Sequence, residues 1–372
     1  MEILINKTIL INALQIINPV TDKSSSKPIL SNFLLSSITE DRVEFSATDY
    51  EIAIKGNCKA QVKMEGAICV NAKKLLEICS EFMGEEVHLQ SDDQQWVKVA
   101  SGTSVLRLPT MEIGLYPKME VGDLPQGFSL APQEFKKAID RTLFAIQTNE
   151  TRKTLMGVCL NVGDGAHGVF TATDGHRLAQ VKKTIQDPAL ESPPEIIVPK
   201  KALDELSKVL GGLTEPVEVR FDERSLMVTT PGVKLTTRLI EGKYPNVDPI
   251  IPKDNDKTVE INRERLTNAL KIISLMSNDK IKPVKMSLNG NNLALESEKG
   301  EAGEAKDEIP VEYNGEPIQV GFNAKYLLDV LNKVTEGESI RMELKGPLNP
   351  CLIRVSGDES FLSVVMPLRI EW

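Results

Sequence analysis

The feature that most constrains this chain is an amphipathic helix pattern that occurs three times. Leu10, Ala13, Leu14 and Ile17 have the spacing of one apolar helix face, with Asn6 as the N-cap and Pro19 beyond the end. The spacing returns at Phe135, Ala138, Ile139, Thr142 and Leu143, and again at Leu266, Ala269, Leu270 and Ile273. Such a long period excludes a solenoid and indicates tandem domains.

A second helical pattern closes each repeat. Its members are Leu75, Ile78, Cys79 and Phe82, then Leu203, Leu206, Ser207 and Leu210, then Leu327, Val330, Leu331 and Val334. Alternating segments such as Val43-Glu44-Phe45 predict strands between the helices, and Gly163-Asp164-Gly165 and Asn289-Gly290-Asn291-Asn292 predict hairpin turns. We therefore predict an α+β fold of three repeats, each with two helices packed on antiparallel sheet. The predicted domains are residues 1–122, 127–250 and 252–372.

Length and composition set the broad class. The 372 residues fit two or three domains, and 41% hydrophobic with 26% charged residues is typical of a globular protein. No apolar run approaches the ~18 residues that span a bilayer, and the start lacks a basic signal segment, so we expect a cytoplasmic protein with no membrane association. The five scattered cysteines favour buried thiols over disulfides or zinc, and we expect no metal and no cofactor.

Residues 171–179 concentrate an acid, a histidine and an arginine: Asp174, His176 and Arg177. The first half of this stretch recurs earlier as Ala47-Thr48-Asp49, where no His-Arg pair follows. Thr-Asp therefore belongs to the repeated scaffold, whereas Gly175-His176-Arg177-Leu178 is an addition of the second repeat.

The charges are unevenly distributed. A net charge of −9 argues against a protein that coats DNA, yet the helical segments carry an excess of Lys and Arg. Lys137 and Arg141, at i and i+4, are predicted to share a face opposite the apolar stripe. If the helices share one surface, that surface attracts phosphates weakly enough to permit sliding. The alternative that these are ordinary solvated helix faces stays open.

Two other functions fit part of the pattern. A metal-dependent hydrolase could be built on Asp174 and His176, but the only other histidines are His88 and His167. The chain has no His-Glu-x-x-His, phosphate-binding loop or Gly-x-Ser-x-Gly motif. The second alternative is a repeat scaffold that binds proteins without encircling DNA. The basic helices argue only moderately against it.

Three segments in order resemble one family. They are Ala172-Thr173-Asp174-Gly175-His176-Arg177-Leu178-Ala179, the helix start at Gly321-Phe322-Asn323 with Tyr326-Leu327-Leu328-Asp329-Val330-Leu331-Asn332, and Val364-Val365-Met366-Pro367-Leu368-Arg369. With three repeats along its whole length, the chain resembles the bacterial sliding clamps, the beta subunits of DNA polymerase III. The resemblance implies a head-to-tail homodimer that closes as a pseudo-sixfold ring around duplex DNA of any sequence. It also implies a processivity factor with no catalytic residues.

The resemblance further implies partners and their site. The partners are the replicative polymerase alpha subunit, the delta subunit of an ATP-driven clamp loader, and other proteins such as translesion polymerases, ligase and mismatch-repair proteins. Their short linear peptides would bind an apolar groove between the second and third repeats. The residues carried over to this groove are Leu155, Thr173, Gly175, His176, Arg177, Leu178, Pro245, Asn323, Tyr326, Val364, Val365, Met366 and Pro367.

Two more sets of residues follow from the resemblance. DNA contacts would come from Lys73, Lys137, Arg141, Lys200, Lys201 and Lys208, and from the loop residues Lys23, Lys27, Asn149, Arg152 and Lys153. The dimer contact would join Leu106 and Leu108 to Leu275 and Met276, with Lys73 and Lys74 near Glu301, Glu304, Asp307 and Glu308. The chain departs from the family at Asp248-Pro249, where a basic residue often stands, and continues past the usual end with Glu371-Trp372.

Overall fold

The structure is a computed structural model that describes most of the chain. The described residues are 1–21, 27–92, 94–119, 122, 124–149, 151–163, 167–189, 195–276, 281–298, 303–334 and 338–369. The predicted DNA contact Lys23, the predicted interface residue Glu301 and the predicted turn at Asp164-Gly165 lie outside them.

Six α-helices occur in this described part of the chain. They are α1 (Lys7–Ile17), α2 (Ala72–Glu81), α3 (Pro132–Thr142), α4 (Lys200–Val209), α5 (Arg263–Ser274) and α6 (Ala324–Leu331). Each contains or begins an apolar stripe that the sequence predicts. In α1, for example, the buried residues are Leu10, Ala13, Leu14 and Ile17, and the Asn6 side chain accepts hydrogen bonds from the N–H groups of Thr8 and Ile9.

The strands within the described residues number 26, in chain order. They are β1 (Glu2–Asn6), β2 (Asn32–Thr39), β3 (Arg42–Thr48), β4 (Ile52–Lys59), β5 (Gln61–Met64), β6 (Ala67–Asn71), β7 (Glu86–Ser91), β8 (Trp96–Ser101), β9 (Ser104–Met111), β10 (Gln126–Leu130), β11 (Gly157–Val162), β12 (His167–Thr173), β13 (Arg177–Thr184), β14 (Gln186–Ala189), β15 (Glu195–Pro199), β16 (Val217–Phe221), β17 (Ser225–Thr229), β18 (Val233–Arg238), β19 (Lys257–Asn262), β20 (Pro283–Asn289), β21 (Asn292–Ser297), β22 (Lys306–Pro310), β23 (Ile318–Asn323), β24 (Ser339–Leu344), β25 (Cys351–Val355) and β26 (Asp358–Val365).

The first compact unit contains Met1–Lys136, Ile185–Ser192 and Lys201–Leu239. Its described strands form one sheet in the order β14-β10-β16-β17-β18-β4-β3-β2-β6-β9-β8-β7-β1-β5. The strands from the first and second repeats join where β18 pairs antiparallel with β4, with Leu235 opposite Ile54. Helices α1 and α2 contact each other, and α1 also packs on β3 and β4.

The second compact unit contains Lys137–Thr184, Pro193–Lys200 and Ile240–Trp372. Its described strands form one sheet in the order β15-β11-β12-β13-β26-β25-β24-β19 and a second in the order β22-β21-β20-β23. The strands from the second and third repeats join where β13 pairs with β26. Helices α5 and α6 contact each other, and α5 packs on β20, β21 and β22.

Most local predictions are confirmed. Asn289 pairs with Asn292 across a two-residue hairpin turn, and Gly290 there has a φ of +54°. Of the five cysteines, Cys58 is half-buried and the other four are buried, all as free thiols. No helix of the described residues is long and apolar enough to cross a membrane.

Candidate functional site

The turn after β12 is held by its own side chains. Thr173 Oγ1 donates to the carbonyl oxygen of Arg177 (2.6 Å) and accepts from the N–H of Gly175 (3.1 Å). Asp174 Oδ1 accepts from the N–H groups of His176 (2.9 Å) and Arg177 (3.0 Å). Gly175 has a φ of +89°, which glycine adopts at the lowest cost. The Thr-Asp-Gly sequence therefore forms the turn that presents the next two side chains.

The first compact unit contains a second copy of this turn, as the repeat predicts. Thr48 Oγ1 donates to the carbonyl oxygen of Ile52 (2.9 Å), and Asp49 Oδ1 accepts from the Ile52 N–H (2.8 Å). Tyr50 occupies the left-handed position, with a φ of +76°. The prediction that Thr-Asp is shared scaffold is confirmed, and the side chains that follow it distinguish the two copies.

We expect Gly175→Ala to lower the free energy of unfolding by about 1 kcal/mol. A Cβ there would meet nothing within 4 Å, so the cost arises from the positive φ alone. The matched control is Gly163→Ala, where space is equally open and φ lies outside the left-handed region. Urea unfolding of both variants gives the comparison, and equal effects would contradict the strain argument.

Two segments far apart in sequence meet at this turn. Arg177 pairs with Val365 and Leu178 with Val364 in the register of β13 and β26. The N–H of Met366 then donates to the carbonyl oxygen of His176 (2.9 Å). Residues 364–366, which the resemblance assigns to the same groove as this turn, therefore lie beside it.

A buried apolar cluster lies beneath the joined segments. Its members are Leu155, Cys159, Leu178, Ile197, Tyr244, Val247, Leu352 and Val364, with Ile240, Ile251 and Leu362 packed against it. The hydroxyl of Tyr244 accepts a hydrogen bond from the N–H of Thr173 (3.0 Å), which ties the cluster to the turn. Burial raises the pKa of Tyr244, so the phenol stays protonated.

Arg177 is buried, at 9% exposure, and its charge is compensated within the unit. Its Nε donates to Asp174 Oδ2 (3.1 Å), its Nη1 donates to Asp329 Oδ2, and its Nη2 donates to the carbonyl oxygen of Phe144 (2.7 Å). No sequence motif relates Phe144 or Asp329 to Arg177. Their relation to Arg177 arises only when distant elements come together.

Aromatic rings surround the same guanidinium. Its Cζ lies 4.6 Å from the ring centroid of Tyr326 and 5.4 Å from that of Phe144. The Tyr326 ring in turn stacks with His176, with centroids 6.2 Å apart and planes at 18°. His176 and Arg177 are therefore parts of one packed arrangement with α6.

The thirteen predicted peptide-site residues all lie in the second compact unit. Those that are buried are Leu155, Thr173, Arg177, Leu178, Asn323, Val364 and Val365. Gly175, His176 and Pro245 are exposed, and Tyr326, Met366 and Pro367 are half-buried. The Asn323 side chain caps α6, because its Oδ1 accepts a hydrogen bond from the N–H of Lys325 (3.0 Å). Exposed Ile250, which is not among the predicted residues, follows the cluster member Val247 in a short 3-10 turn, and its N–H donates to the carbonyl oxygen of Val247.

The predicted position of Arg141 on an open, DNA-facing surface is wrong. Its side chain is 2% exposed, and its Nη1 donates to Asp358 Oδ2 at 2.6 Å. Lys137 does share that face, but its Nζ also reaches Asp358 Oδ2 (3.2 Å). The physical reason is that the face opposite the apolar stripe of α3 packs on a distant acid within the same unit.

Asp358 is strongly held in its charged form. Burial opposes the charge, but hydrogen bonds from Ser360, Arg141 and Lys137 outweigh it and hold the pKa of Asp358 well below its usual range. The Arg141 guanidinium also lies over the Phe361 ring, 5.1 Å from its centroid. This group of contacts stabilises the unit.

The other predicted DNA-contact residues that the structure describes are exposed, and several of them are paired. Lys73 and Lys74 both approach Glu77, at 3.7 and 3.5 Å, and Lys208 pairs with Glu205 at 2.8 Å. Lys201 pairs with Asp49, and the Lys27 ammonium lies 4.7 Å from the ring centroid of Tyr50. Lys200, Asn149, Arg152 and Lys153 are also exposed. The helix cations therefore carry less uncompensated charge than a count of lysines suggests.

The predicted dimer residues differ in exposure. Leu275 is 72% exposed and Leu106 38%, whereas Leu108 is already 8% exposed in the single chain, so it has little surface left for a partner. Met276 is half-buried, and Lys73, Lys74 and Glu304 are exposed.

The predicted acidic run is partly compensated by cations of its own unit. Nη1 and Nη2 of Arg265 donate to Asp307 (2.7 and 2.5 Å), and Lys306 pairs with Glu308 at 2.8 Å.

The described residues contain no group of three or more His, Cys, Asp or Glu side chains that could hold a metal ion. Asp174, on which the hydrolase alternative depends, binds backbone N–H groups and Arg177 with its carboxylate oxygens. Its arrangement with His176 is that of a structural turn.

Fold and sequence define a three-domain DNA clamp. Models of the DNA polymerase III beta subunit match in order along the chain: the N-terminal domain over residues 1–120, the central domain over 129–246 and the C-terminal domain over 248–369. A Caulobacter vibrioides beta sliding clamp is 32% identical over 375 residues, with all of both chains covered.

Solved structures agree with these matches. A Pseudomonas aeruginosa sliding clamp bound to griselimycin has a TM-score of 0.94 at 30% identity, and a Bacillus subtilis DNA polymerase sliding clamp has 0.93 at 26%, both with full coverage of each chain. The chain belongs to the family of DNA polymerase III beta subunits, the bacterial sliding clamps. It is a non-catalytic clamp that tethers a polymerase to DNA, which confirms the prediction that it is not an enzyme.

Proposed function

We propose that this clamp holds its partners by their short linear peptides, at a site made by the turn of residues 173–178 and by residues 364–367. The observation that carries the proposal is an exposed rim, including His176 and Pro245, beside a buried apolar cluster. Such a surface fits a peptide with one or two aliphatic or aromatic side chains. The proposed partners are the polymerase alpha subunit, the delta subunit of the clamp loader, translesion polymerases, ligase and mismatch-repair proteins.

The proposed assembly is a head-to-tail homodimer of six domains, with limits at residues 1–122, 127–250 and 252–372. Exposed Leu106 and Leu275 would supply an apolar contact, with Lys73 and Lys74 opposite Glu304, Asp307 and Glu308. Strand β22 ends the four-stranded sheet, and no other described strand pairs with its outer edge, which could therefore accept another chain. A heterologous contact of this kind closes into a ring when its rotation closes.

The proposed contact with duplex DNA is weak and independent of sequence. Lys73, Lys200, Lys201 and Lys208 are exposed. Acids beside Lys73, Lys201 and Lys208 limit the attraction of these lysines for phosphate. A net charge of −9 discourages binding elsewhere on the protein. Retention would then depend on encirclement, in the cytoplasm where bacterial DNA lies.

Retention on DNA tests the ring. We expect the clamp, loaded by its loader on nicked circular plasmid, to stay bound through high salt and to leave when the plasmid is cut, because a closed ring cannot dissociate sideways. Gel filtration of the DNA fraction measures retention. Leu275→Asp should abolish retention, whereas Leu348→Asp, at a residue that is also exposed (57%) but outside the proposed contact, should preserve it. Salt-labile binding that ignores DNA ends would overturn the proposal.

A further inference from the structure

Arg177 of the proposed peptide site contacts an acid that is not among the predicted site residues. Arg177 binds two carboxylates, of Asp174 and Asp329, together with the carbonyl oxygen of Phe144. Asp174 also accepts from two backbone N–H groups, so it serves the turn itself. Asp329 approaches Arg177 from α6, a different element.

The guanidinium connects this acid to the rim. It lies 4.6 Å from the ring centroid of Tyr326, and Tyr326 stacks with His176 at 6.2 Å. An arginine plane that is fixed by hydrogen bonds at its edge can support rings on its faces. A change in the hydrogen bond that Arg177 donates to Asp329 is therefore transmitted to the two rings.

We infer that Asp329 is a positioning residue of the peptide site, which sets the placement of Tyr326 and His176 through Arg177. The inference rests on the proposed function, since it concerns how well the site receives its peptide. The carboxylate fixes one edge of the guanidinium, so the ring pair is preorganised before the ligand arrives.

The other copy of the turn supports the inference. There Ile52 occupies the position of Arg177, and Glu205 occupies the position of Asp329 on α4. Ile52 cannot bind a carboxylate, and Glu205 pairs with Lys208 on its own helix instead. The shared turn forms without an arginine link, so the link is an addition that serves something other than the turn.

The test uses the full-length protein and a fluorescein-labelled peptide from the polymerase alpha subunit. We expect Asp329→Asn to raise the Kd by about tenfold, since it weakens a hydrogen bond to a charged group and disorders the ring pair. Titration calorimetry should still give the wild-type stoichiometry. Asp329→Glu should recover part of the affinity, and Glu205→Gln, the matched control, should leave the Kd unchanged.

Spectroscopy separates positioning from general stability. We expect the ring C–H resonances of His176 to shift in Asp329→Asn, because its stacking with Tyr326 changes. A purely structural role would instead reduce the stoichiometry and leave the Kd of the remaining protein unaltered, which would overturn the inference. So would an unchanged Kd in Asp329→Asn when the wild type binds. Failure of the wild type itself to bind the peptide would overturn the proposed site and the inference together.

Discussion

We expect deletion of residues 366–372 to abolish stimulation of the polymerase and to leave the protein a homodimer. This is the largest effect among our predictions. The N–H of Met366 donates to His176, and the N–H of Leu368 donates to the carbonyl oxygen of Gly321 at 2.8 Å. Cutting at Met366 therefore removes one side of the proposed rim and the bonds that hold it. Primer extension on a long single-stranded template measures the loss, and gel filtration measures the dimer.

A shorter deletion is the control for this result. Removing only Glu371 and Trp372 leaves Met366, Pro367 and Leu368 in place, so stimulation should persist. Stimulation that survives the longer deletion would show that partners bind elsewhere. Loss of the dimer would show that the C-terminal segment is needed for assembly, and that outcome would also contradict the prediction.

Arg141→Ala is expected to lower the free energy of unfolding by about 3–5 kcal/mol, because it leaves Asp358 partly buried without its main cation. Lys137→Ala removes a cation from the same carboxylate, but this lysine is 37% exposed, so we expect a cost of at most about 1 kcal/mol. Urea unfolding at neutral pH measures both. Similar costs for the two variants would contradict the assignment of Arg141 to the interior.

The same pair predicts a pH dependence. The pKa of Asp358 is lowered in the folded chain. Its contribution to the free energy of unfolding is therefore present at pH values above the ordinary pKa of aspartate, and it is lost as the pH falls. The difference in the free energy of unfolding between the wild type and Arg141→Ala should therefore become smaller below about pH 4. Because Arg141 is buried, its replacement should also leave the salt dependence of DNA binding unchanged, which filter binding at several salt concentrations can check.

The helices could be predicted because their signals are local. Leu10, Ala13, Leu14 and Ile17 reveal a buried face by spacing alone, and two later copies of the pattern make chance improbable. The turn at Thr173 and Asp174 could be predicted for the same reason, because both side chains bind the backbone within four residues.

The partners of Arg141 and Arg177 could not be found in this way. Spacing of three or four residues shows which side chains share a helix face, but it does not show what packs against that face. Asp358 and Asp329 reach their arginines only after the chain has folded, from more than a hundred residues away. The family resemblance implies that Arg177 is part of a binding site, whereas its contacts with Phe144 and Tyr326 arise only in the folded chain.

The pairing of β18 with β4 has a consequence for biosynthesis. About 180 residues separate the paired segments, so at roughly 5–20 residues per second the edge of β4 waits about 9 to 36 s for its partner to leave the ribosome. An unpaired edge of this kind is a site for aggregation, and charged side chains are a usual protection. Lys55 and Lys59 lie on β4, and both are exposed in the folded unit. The nascent clamp thus carries its own protection against premature association while its first sheet is incomplete.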